Sequence, residues 1–175
     1  LREDAVWVPD PAAQDAPVPS RCMAIAQAVP GATFASFKPQ GPPGPVTLAQ
    51  TFVDGDVTIT YAGHSTYIIE TPDGVRIATD YSGVYGSDPL PRVVTMNKAH
   101  RTHFTDWPDP GIGTVLRGWN PEGGPARHAV VIDDVYIRNV PTDIRSWDSG
   151  TEPDGNSIFI FEVAGLCIGH LGHLH

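Results

Sequence analysis

The stretch VTITYAGHSTYIIETPDGVRIATD, residues 57–80, decides the fold because it predicts three short strands in succession. Val57–Tyr61 alternates in polarity and is rich in β-branched residues, which is typical of a half-buried strand. Thr66–Glu70 and Val75–Thr79 flank the turn TPDG at 71–74, and this tetrapeptide is a strong hairpin signal. The stretch therefore predicts a β-rich unit built from consecutive strands.

Strand signals continue towards the end of the chain, whereas helix signals after residue 46 are weak. Pro and Gly number 18 each, which fits many short strands joined by long loops. Arg92–Met96 is apolar enough to be buried on both faces if its strand is central. The further predicted strands are Ala129–Ile132, Val135–Arg138, Ser157–Glu162 and Leu166–Ile168.

The first 45 residues have a different character, and we expect them to form an N-terminal arm. Within this arm, Ser20–Val29 predicts a short helix with Ser20 as its N-cap. Gln40–Pro45 (QGPPGP) excludes regular structure and is expected to be a linker. The predicted organisation is an arm over residues 1–45 and a globular domain over residues 46–175.

Charge and composition exclude two classes of function. The chain has 11 basic and 20 acidic residues, a net charge of −9, and no basic stripe of the kind that binds nucleic acid. No apolar run approaches the length of a membrane span. The Ala-, Pro- and Asp-rich opening resembles the mature start of an exported protein after signal peptide removal, so we expect a periplasmic or secreted location, with the cytoplasm as the alternative.

The two cysteines, Cys22 and Cys167, leave two alternatives open. They could form a disulfide in an oxidising compartment. Because Cys167 lies in the apolar run Leu166–Ile168, we expect instead that it is a buried free thiol.

Four places that follow predicted strands carry side chains suited to chemistry. His64 lies in a turn and Asp80 ends a strand; taken alone, each is more often a structural residue. His100 and His103 have a spacing that lets both imidazoles reach one ion. The chain then closes on HLGHLH, residues 170–175, which places His170 and His173 directly after the last strand. From spacing alone, a shared metal site and a structural role are about equally supported.

These segments resemble the metallo-β-lactamase-fold hydrolases, in particular their L-ascorbate-6-phosphate lactonase-like branch. Residues 57–80 resemble the start of that fold, and NSIFIFEVAGLCIGHLGHLH, residues 156–175, resembles a later segment that ends in His-Leu-Gly-Asp. The resemblance implies an α+β fold, an αββα sandwich of which this chain supplies the N-terminal half and the following strands. It also implies a partner, a second polypeptide that carries the C-terminal half of the same protein and completes the fold.

The resemblance also shows where the metal motif of the family is altered. On the pattern H-x-H-x-D-H, His100 and His103 are retained, whereas Lys98 and Thr102 replace a histidine and an aspartate. The metal-bridging aspartate falls on His173. A further family histidine has no counterpart, and Asp143 is its nearest substitute.

The altered motif implies one divalent transition metal ion rather than two, with zinc first and iron, nickel or copper as the other candidates. His100, His103 and His173 are the implied ligands. His170 and His64 are implied as a fourth ligand or as outer partners of the ligands. The alternative is that no metal binds and that the charge of Lys98 takes its place.

The resulting expectation is a metal-dependent hydrolase that cleaves an ester, a lactone or a phosphodiester in a small-molecule substrate with a metal-bound water. Asp80 or His64 would orient or deprotonate that water. The alternatives are a non-catalytic binding or assembly subunit with a degenerate metal site, and a redox or metal-carrying periplasmic protein.

Overall fold

The computed structural model describes residues 20–22, 55–145 and 150–174, and these ranges contain nine strands in two sheets. The first sheet has the order β1-β2-β3-β4-β5. The first three strands pair antiparallel, whereas β4 and β5 are each parallel to the preceding strand. These strands are β1 (Thr58–Gly63), β2 (Thr66–Glu70), β3 (Arg76–Ala78), β4 (Val93–Met96) and β5 (Thr114–Arg117).

The second sheet is antiparallel throughout and has the order β6-β7-β8-β9. Its centre is the long pair β7 and β8, whose register shifts between Thr142 and Ile144. Its strands are β6 (Ala129–Ile132), β7 (Val135–Arg145), β8 (Thr151–Val163) and β9 (Leu166–His170).

The main core lies between the two sheets. Phe159 and Phe161 on β8 are completely buried, and burial of each aromatic side chain stabilises the fold by about 1.5–3 kcal/mol. They pack against branched aliphatic side chains from β2, β3 and β4, so the sheets share one apolar layer. The buried members are Ile69, Val75, Ile77, Val93, Leu116, Val135, Ile137, Phe159, Phe161 and Val163.

The opposite face of the first sheet carries a second, smaller core. Val94 and Met96 point to this face, which follows from the alternation of side chains along β4. Phe104 and Trp119, from the loops after β4 and β5, pack on the same face. Every residue of β4 is therefore buried, as the sequence predicted for a central strand.

The two-sheet sandwich confirms the coarse part of the predicted fold. Helix occurs in the described ranges only at residues 21 and 22, so helical outer layers remain a prediction. The predicted arm, linker and domain boundary concern residues 1–19 and 23–54, which lie outside the described residues. No helix in the described part of the chain is long and apolar enough to span a membrane.

A disulfide between Cys22 and Cys167 corrects the expectation of a buried free thiol. Cys167 is exposed because β9 is the edge strand of the second sheet and presents this side chain outward. Beside it, the buried carboxylate of Glu162 accepts hydrogen bonds from the backbone N–H groups of Arg21 and Cys22 at 2.9 and 3.3 Å, and from the Ser20 hydroxyl. These contacts and the disulfide fasten residues 20–22 to β8 and β9.

Candidate functional site

The chemistry-bearing side chains converge at one edge of the sandwich. β3 and β4 are parallel, so their carboxyl ends meet at the same edge of the first sheet. Asp80 follows β3, and His100 and His103 follow β4. β2 runs the other way, so the turn that precedes it carries His64 to the same edge. His173, which follows β9, reaches this edge from the second sheet.

Four imidazole rings are in contact here, and we call His64, His100, His103 and His173 the histidine cluster. The ring centres of His100 and His173 are 4.8 Å apart, and those of His103 and His173 are 5.2 Å apart. His103 is also 5.9 Å from His100 and 5.1 Å from His64. The structure thus brings together residues that are more than a hundred positions apart in the sequence.

Asp80 fixes the orientation of His103. Its side chain is completely buried, and its Oδ2 lies 2.6 Å from His103 Nδ1. An ionised carboxylate only accepts hydrogen bonds, so Nδ1 is the donor to Asp80, and in the neutral ring Nε2 then carries the lone pair. The Ser65 hydroxyl lies 3.1 Å from the same Nδ1. Asp80 therefore prepares His103 Nε2 to act as a metal ligand or a proton acceptor.

Asn97 joins Asp80 to the second sheet. Its Nδ2 donates to Asp80 Oδ1 at 2.9 Å, and its Oδ1 accepts from the backbone N–H of Ser157 on β8 at 2.8 Å. Asn97 is completely buried, so both bonds replace contacts with water. The position of His103 consequently depends on the docking of the two sheets.

Asn156 and Gly172 place His173. Asn156 Oδ1 accepts from the backbone N–H of His173 at 2.8 Å, and its Nδ2 donates to the Leu171 carbonyl at 3.1 Å. Gly172 has a left-handed backbone, with φ of 63°. A Cβ at Gly172 would lie 2.2 Å from Asn97 Nδ2 and 2.5 Å from Asn156 Oδ1. Only glycine therefore lets this loop approach both amides.

The turn residues of the site are held in a costly conformation. His64 and Asp80 have left-handed backbones, with φ of 50° and 43°. Such a conformation costs a residue other than glycine about 1–3 kcal/mol and persists only where its surroundings enforce it. His64 is exposed at the mouth of the cluster, whereas Asp80 lies beneath it.

His170 occupies a different position from the cluster. Its Nε2 donates to the Ser65 carbonyl at 3.1 Å, and its ring lies 6.3 Å from that of Tyr67. No ring contact joins it to the other histidines in the described part of the chain. Its Nδ1 is buried and has no hydrogen-bond partner among the described residues. The structure thus places His170 beside the cluster and leaves its predicted role as a ligand untested.

Of the altered motif positions, Lys98, Thr102 and Asp143 take no part in the cluster, whereas His173 belongs to it. Lys98 forms an ion pair with Glu152 on β8, with Nζ 2.5 Å from Oε1. Thr102 is exposed. Asp143, the predicted substitute for a missing histidine, is exposed and accepts a hydrogen bond from the backbone of Asp154 at 3.1 Å. The positive charge of Lys98 is therefore balanced by Glu152 rather than placed among the imidazoles.

Beneath the site, Tyr81 packs in the second core beside Asp80. Burial is the main cause that raises the pKa of its hydroxyl, and the negative charge of Asp109 adds to the rise. The phenol therefore stays neutral at physiological pH.

Sequence reasoning found the histidines and Asp80 but missed the two amides that hold them. Asn97 stands directly before the altered motif, and Asn156 opens the predicted last hairpin. A buried asparagine beside a histidine motif is a usable signal, because such amides often connect loops. The partner of each amide, however, depends on the pairing of distant segments.

A family model and solved structures match this chain. Residues 58–175 match the family model described as the beta-lactamase superfamily domain. Among solved structures, the chain is similar to a protein named as a metal-dependent hydrolase from Parabacteroides distasonis ATCC 8503, with 16% sequence identity and a TM-score of 0.49. The match covers 66% of this chain and 60% of that one. No curated protein matches the chain. Because the family match spans well over half of the 175 residues, the chain belongs to the beta-lactamase superfamily.

Proposed function

We propose that the protein is a metal-dependent hydrolase of an ester, a lactone or a phosphodiester, close in type to the L-ascorbate-6-phosphate lactonase-like branch. The histidine cluster carries this proposal, because four imidazole rings from three separate loops meet beside a buried carboxylate. His100, His103 and His173 are the ligands we assign to one divalent ion, with zinc first and iron, nickel or copper next. Superfamily membership supports hydrolase chemistry, while the substrate class is our inference.

Two observations bear on whether the cluster fits a metal ion. Within the described ranges, no three His, Cys, Asp or Glu side chains have their ligating atoms already gathered as an ion requires. The ring centres, however, are 4.8–5.9 Å apart, and tetrahedral zinc with Zn–N bonds of about 2 Å implies ring centres about 5 Å apart. Rotation of a ring about χ2 moves its nitrogens much more than its centre, and this torsion is broad. The distances between ring centres are therefore a better guide to metal binding than the positions of the nitrogens. By these distances, the three imidazoles fit one divalent ion.

The other residues of the site have distinct roles in this proposal. A bound divalent ion would supply Lewis acidity toward a carbonyl or phosphoryl oxygen and would lower the pKa of water. Asp80 holds the proton on His103 Nδ1 and so keeps Nε2 available. His64 is exposed beside His103, where it can accept a proton from water or hold a water molecule in line with the substrate.

A non-catalytic binding subunit is the second candidate, and the altered motif favours it. Lys98 pairs with Glu152, and Thr102 is exposed, so two family ligand positions take no part in the cluster. A cluster that keeps its shape without an ion would bind an anion or a partner through its imidazole N–H groups. Fold alone does not separate these candidates, since one fold serves many functions.

Metal analysis of the purified protein tests the first candidate. We expect near-stoichiometric metal that is lost in His103→Ala and retained in His128→Ala, which removes an imidazole outside the cluster. We also expect hydrolysis of bis(4-nitrophenyl) phosphate or a chromogenic lactone that chelation abolishes. Protein without metal that gains no thermal stability on addition of Zn²⁺ would support the binding subunit. Hydrolysis that persists in His103→Ala would contradict the roles assigned here.

The disulfide supports our proposal of a periplasmic or secreted location, because disulfides persist in oxidising compartments. The test is mass spectrometry of the protein from fractionated cells after thiol blocking. We expect a Cys22–Cys167 peptide in the exported fraction, and a fully reduced cytoplasmic protein would contradict the proposal.

We further propose that residues 46–175 form one domain and that a second polypeptide, carrying the C-terminal half of the same protein, completes it. Large apolar side chains exposed on the edge strands support this partner, among them Ile59 and Tyr61 on β1 and Leu166 on β9. Native mass spectrometry of the protein isolated from its source would show the second polypeptide in the complex. A stable monomer of this chain alone would contradict the proposal.

A further inference from the structure

A cavity of about 480 Å³ opens beside the end of β5. Its volume lies within the roughly 300–1,000 Å³ that is typical of small-molecule sites. One wall is formed by the end of β5 and the residues after it, and the other by the segment that leads into β6. The lining residues are Val115, Arg117, Trp119, Asn120, Pro121, Pro125, Ala126, Arg127 and His128.

Two arginines give the cavity its chemical character. In this acidic protein, Arg76, Arg92 and Arg138 each form an ion pair with a carboxylate. No such pair involves Arg117 or Arg127 in the parts of the chain that the structure describes. Guanidinium groups match carboxylates and phosphates through two parallel hydrogen bonds, so two arginines of this kind in one cavity favour an anion.

Apart from Asn120 and His128, the rest of the lining is apolar. Trp119 supplies an indole, and Val115, Pro121 and Pro125 supply aliphatic surface. An indole beside guanidinium groups suits a ligand with a planar apolar body and an anionic end, because the body stacks on the ring while the charge reaches the arginines.

Hydrogen bonds hold both walls of the cavity in place. His128 Nε2 donates to the Arg117 carbonyl at 2.7 Å, which joins one wall to the other. Asn139 on β7 accepts from the His128 backbone at 2.7 Å and donates to the Ala126 carbonyl at 2.9 Å. The Ser157 hydroxyl donates to the Gly118 carbonyl at 2.8 Å. Walls fixed in this way lose little entropy when a ligand binds.

Residues that line the cavity contact residues next to the histidine cluster. Arg117 at the end of β5 pairs in register with Met96 at the end of β4, one residue before Asn97. The rings of Trp119 and Phe104 make an edge contact with centres 5.4 Å apart, and Phe104 directly follows His103. Both sites therefore lie at the same edge of the first sheet.

We infer that this cavity binds the anionic end of the substrate, and that the substrate is an organic carboxylate or phosphate ester with a planar apolar body. The inference rests on the proposed function for the assignment of the ligand as substrate. Arg117 and Arg127 bind the anion, Trp119 stacks on the body, and the labile bond extends towards the histidine cluster.

Calorimetry with 1-naphthyl phosphate, 1-naphthoate and 1-naphthol tests the inference at equilibrium in the presence of a chelator. We expect both anions to bind and the neutral naphthol to bind at least about tenfold more weakly, because it forms no charge-assisted hydrogen bonds. We expect the Arg117→Ala/Arg127→Ala variant to lose about tenfold or more in anion affinity while its affinity for naphthol stays the same. The tighter of the two anions identifies the natural charged group.

The matched control is Arg101→Ala/Arg145→Ala, which removes two exposed positive charges from outside the cavity. Its anion affinity should equal that of the parent protein, and circular dichroism should show that all variants melt as folded proteins. Equal affinity for naphthol and its anionic analogues would overturn the inference, as would unchanged anion binding in the variant without Arg117 and Arg127.

The same titration with His103→Ala separates this inference from the proposed function. We expect anion binding to survive that substitution, because the cavity does not include His103. If the protein holds no metal and shows no hydrolysis while the cavity binds anions, only the proposed hydrolase function is refuted. If hydrolysis is present and the cavity binds no anion, only the substrate class falls.

Discussion

Replacement of Asn97 by leucine should destabilise the protein strongly, because it leaves two buried polar groups without partners. The carboxylate of Asp80 loses a bond of 2.9 Å, and the backbone N–H of Ser157 loses one of 2.8 Å. Each orphaned group costs about 1–3 kcal/mol, so we expect a loss of about 2–6 kcal/mol in the free energy of unfolding. Such a loss is a large part of the roughly 5–15 kcal/mol typical of a whole domain.

Urea denaturation in the presence of a chelator, followed by tryptophan fluorescence, measures this change. Asn120→Leu is the matched control, because Asn120 also makes two amide hydrogen bonds, but to the exposed residues Glu122 and Gly123. We expect this control to lose less than about 1 kcal/mol. If Asn97→Leu does not fold, Asn97→Ser provides a milder step in the same direction. A loss for Asn97→Leu no larger than that of the control would refute the reasoning.

Two further perturbations follow from the fold. Removal of the disulfide by Cys22→Ser/Cys167→Ser opens a loop with a sequence separation of 145, for which chain entropy gives about 5 kcal/mol as the upper estimate of lost stability. A free energy of unfolding in urea within about 1 kcal/mol of that of the oxidised parent would contradict it. Burial raises the pKa of Tyr136, opposed by Arg138 and reinforced by Glu162. Above pH of about 10 the unfolded chain therefore loses this proton before the folded one, and stability falls by up to about 1.4 kcal/mol per pH unit. Tyr136→Phe should flatten that decline in alkaline unfolding curves, and an unchanged slope would argue against it.

Strand positions were well predicted where local signals are strong. The predicted bounds Thr66–Glu70 and Ala129–Ile132 are those of β2 and β6, since alternation and turn residues act over a few positions. β5, at Thr114–Arg117, escaped prediction because it has four residues between two glycines and pairs in parallel with a strand some twenty positions earlier. Such pairing depends on distant sequence and leaves little local trace.

In the site, too, features with a local sequence signal were predicted, whereas features that depend on distant residues were not. The rule that functional side chains gather at strand ends left a shared site and structural roles equally supported, and the family resemblance implied His100, His103 and His173 as one set of ligands. The rings of these three histidines are in contact. The rule could not reveal Asn97, whose bond to Ser157 spans 60 positions. The expectation for Cys167 was wrong because an apolar run indicates a strand but does not tell which face of an edge strand is exposed.

The bridge made by Asn97 has a consequence for any binding measurement on this protein. The cluster takes histidines from both sheets, and its deepest hydrogen bonds cross from one sheet to the other. A substitution that loosens the contact between the sheets would thus abolish ligand binding without altering a single histidine. Conversely, a ligand that bound the cluster would stabilise the contact between the two sheets. The unfolding temperature of the whole sandwich would then rise with the logarithm of the ligand concentration.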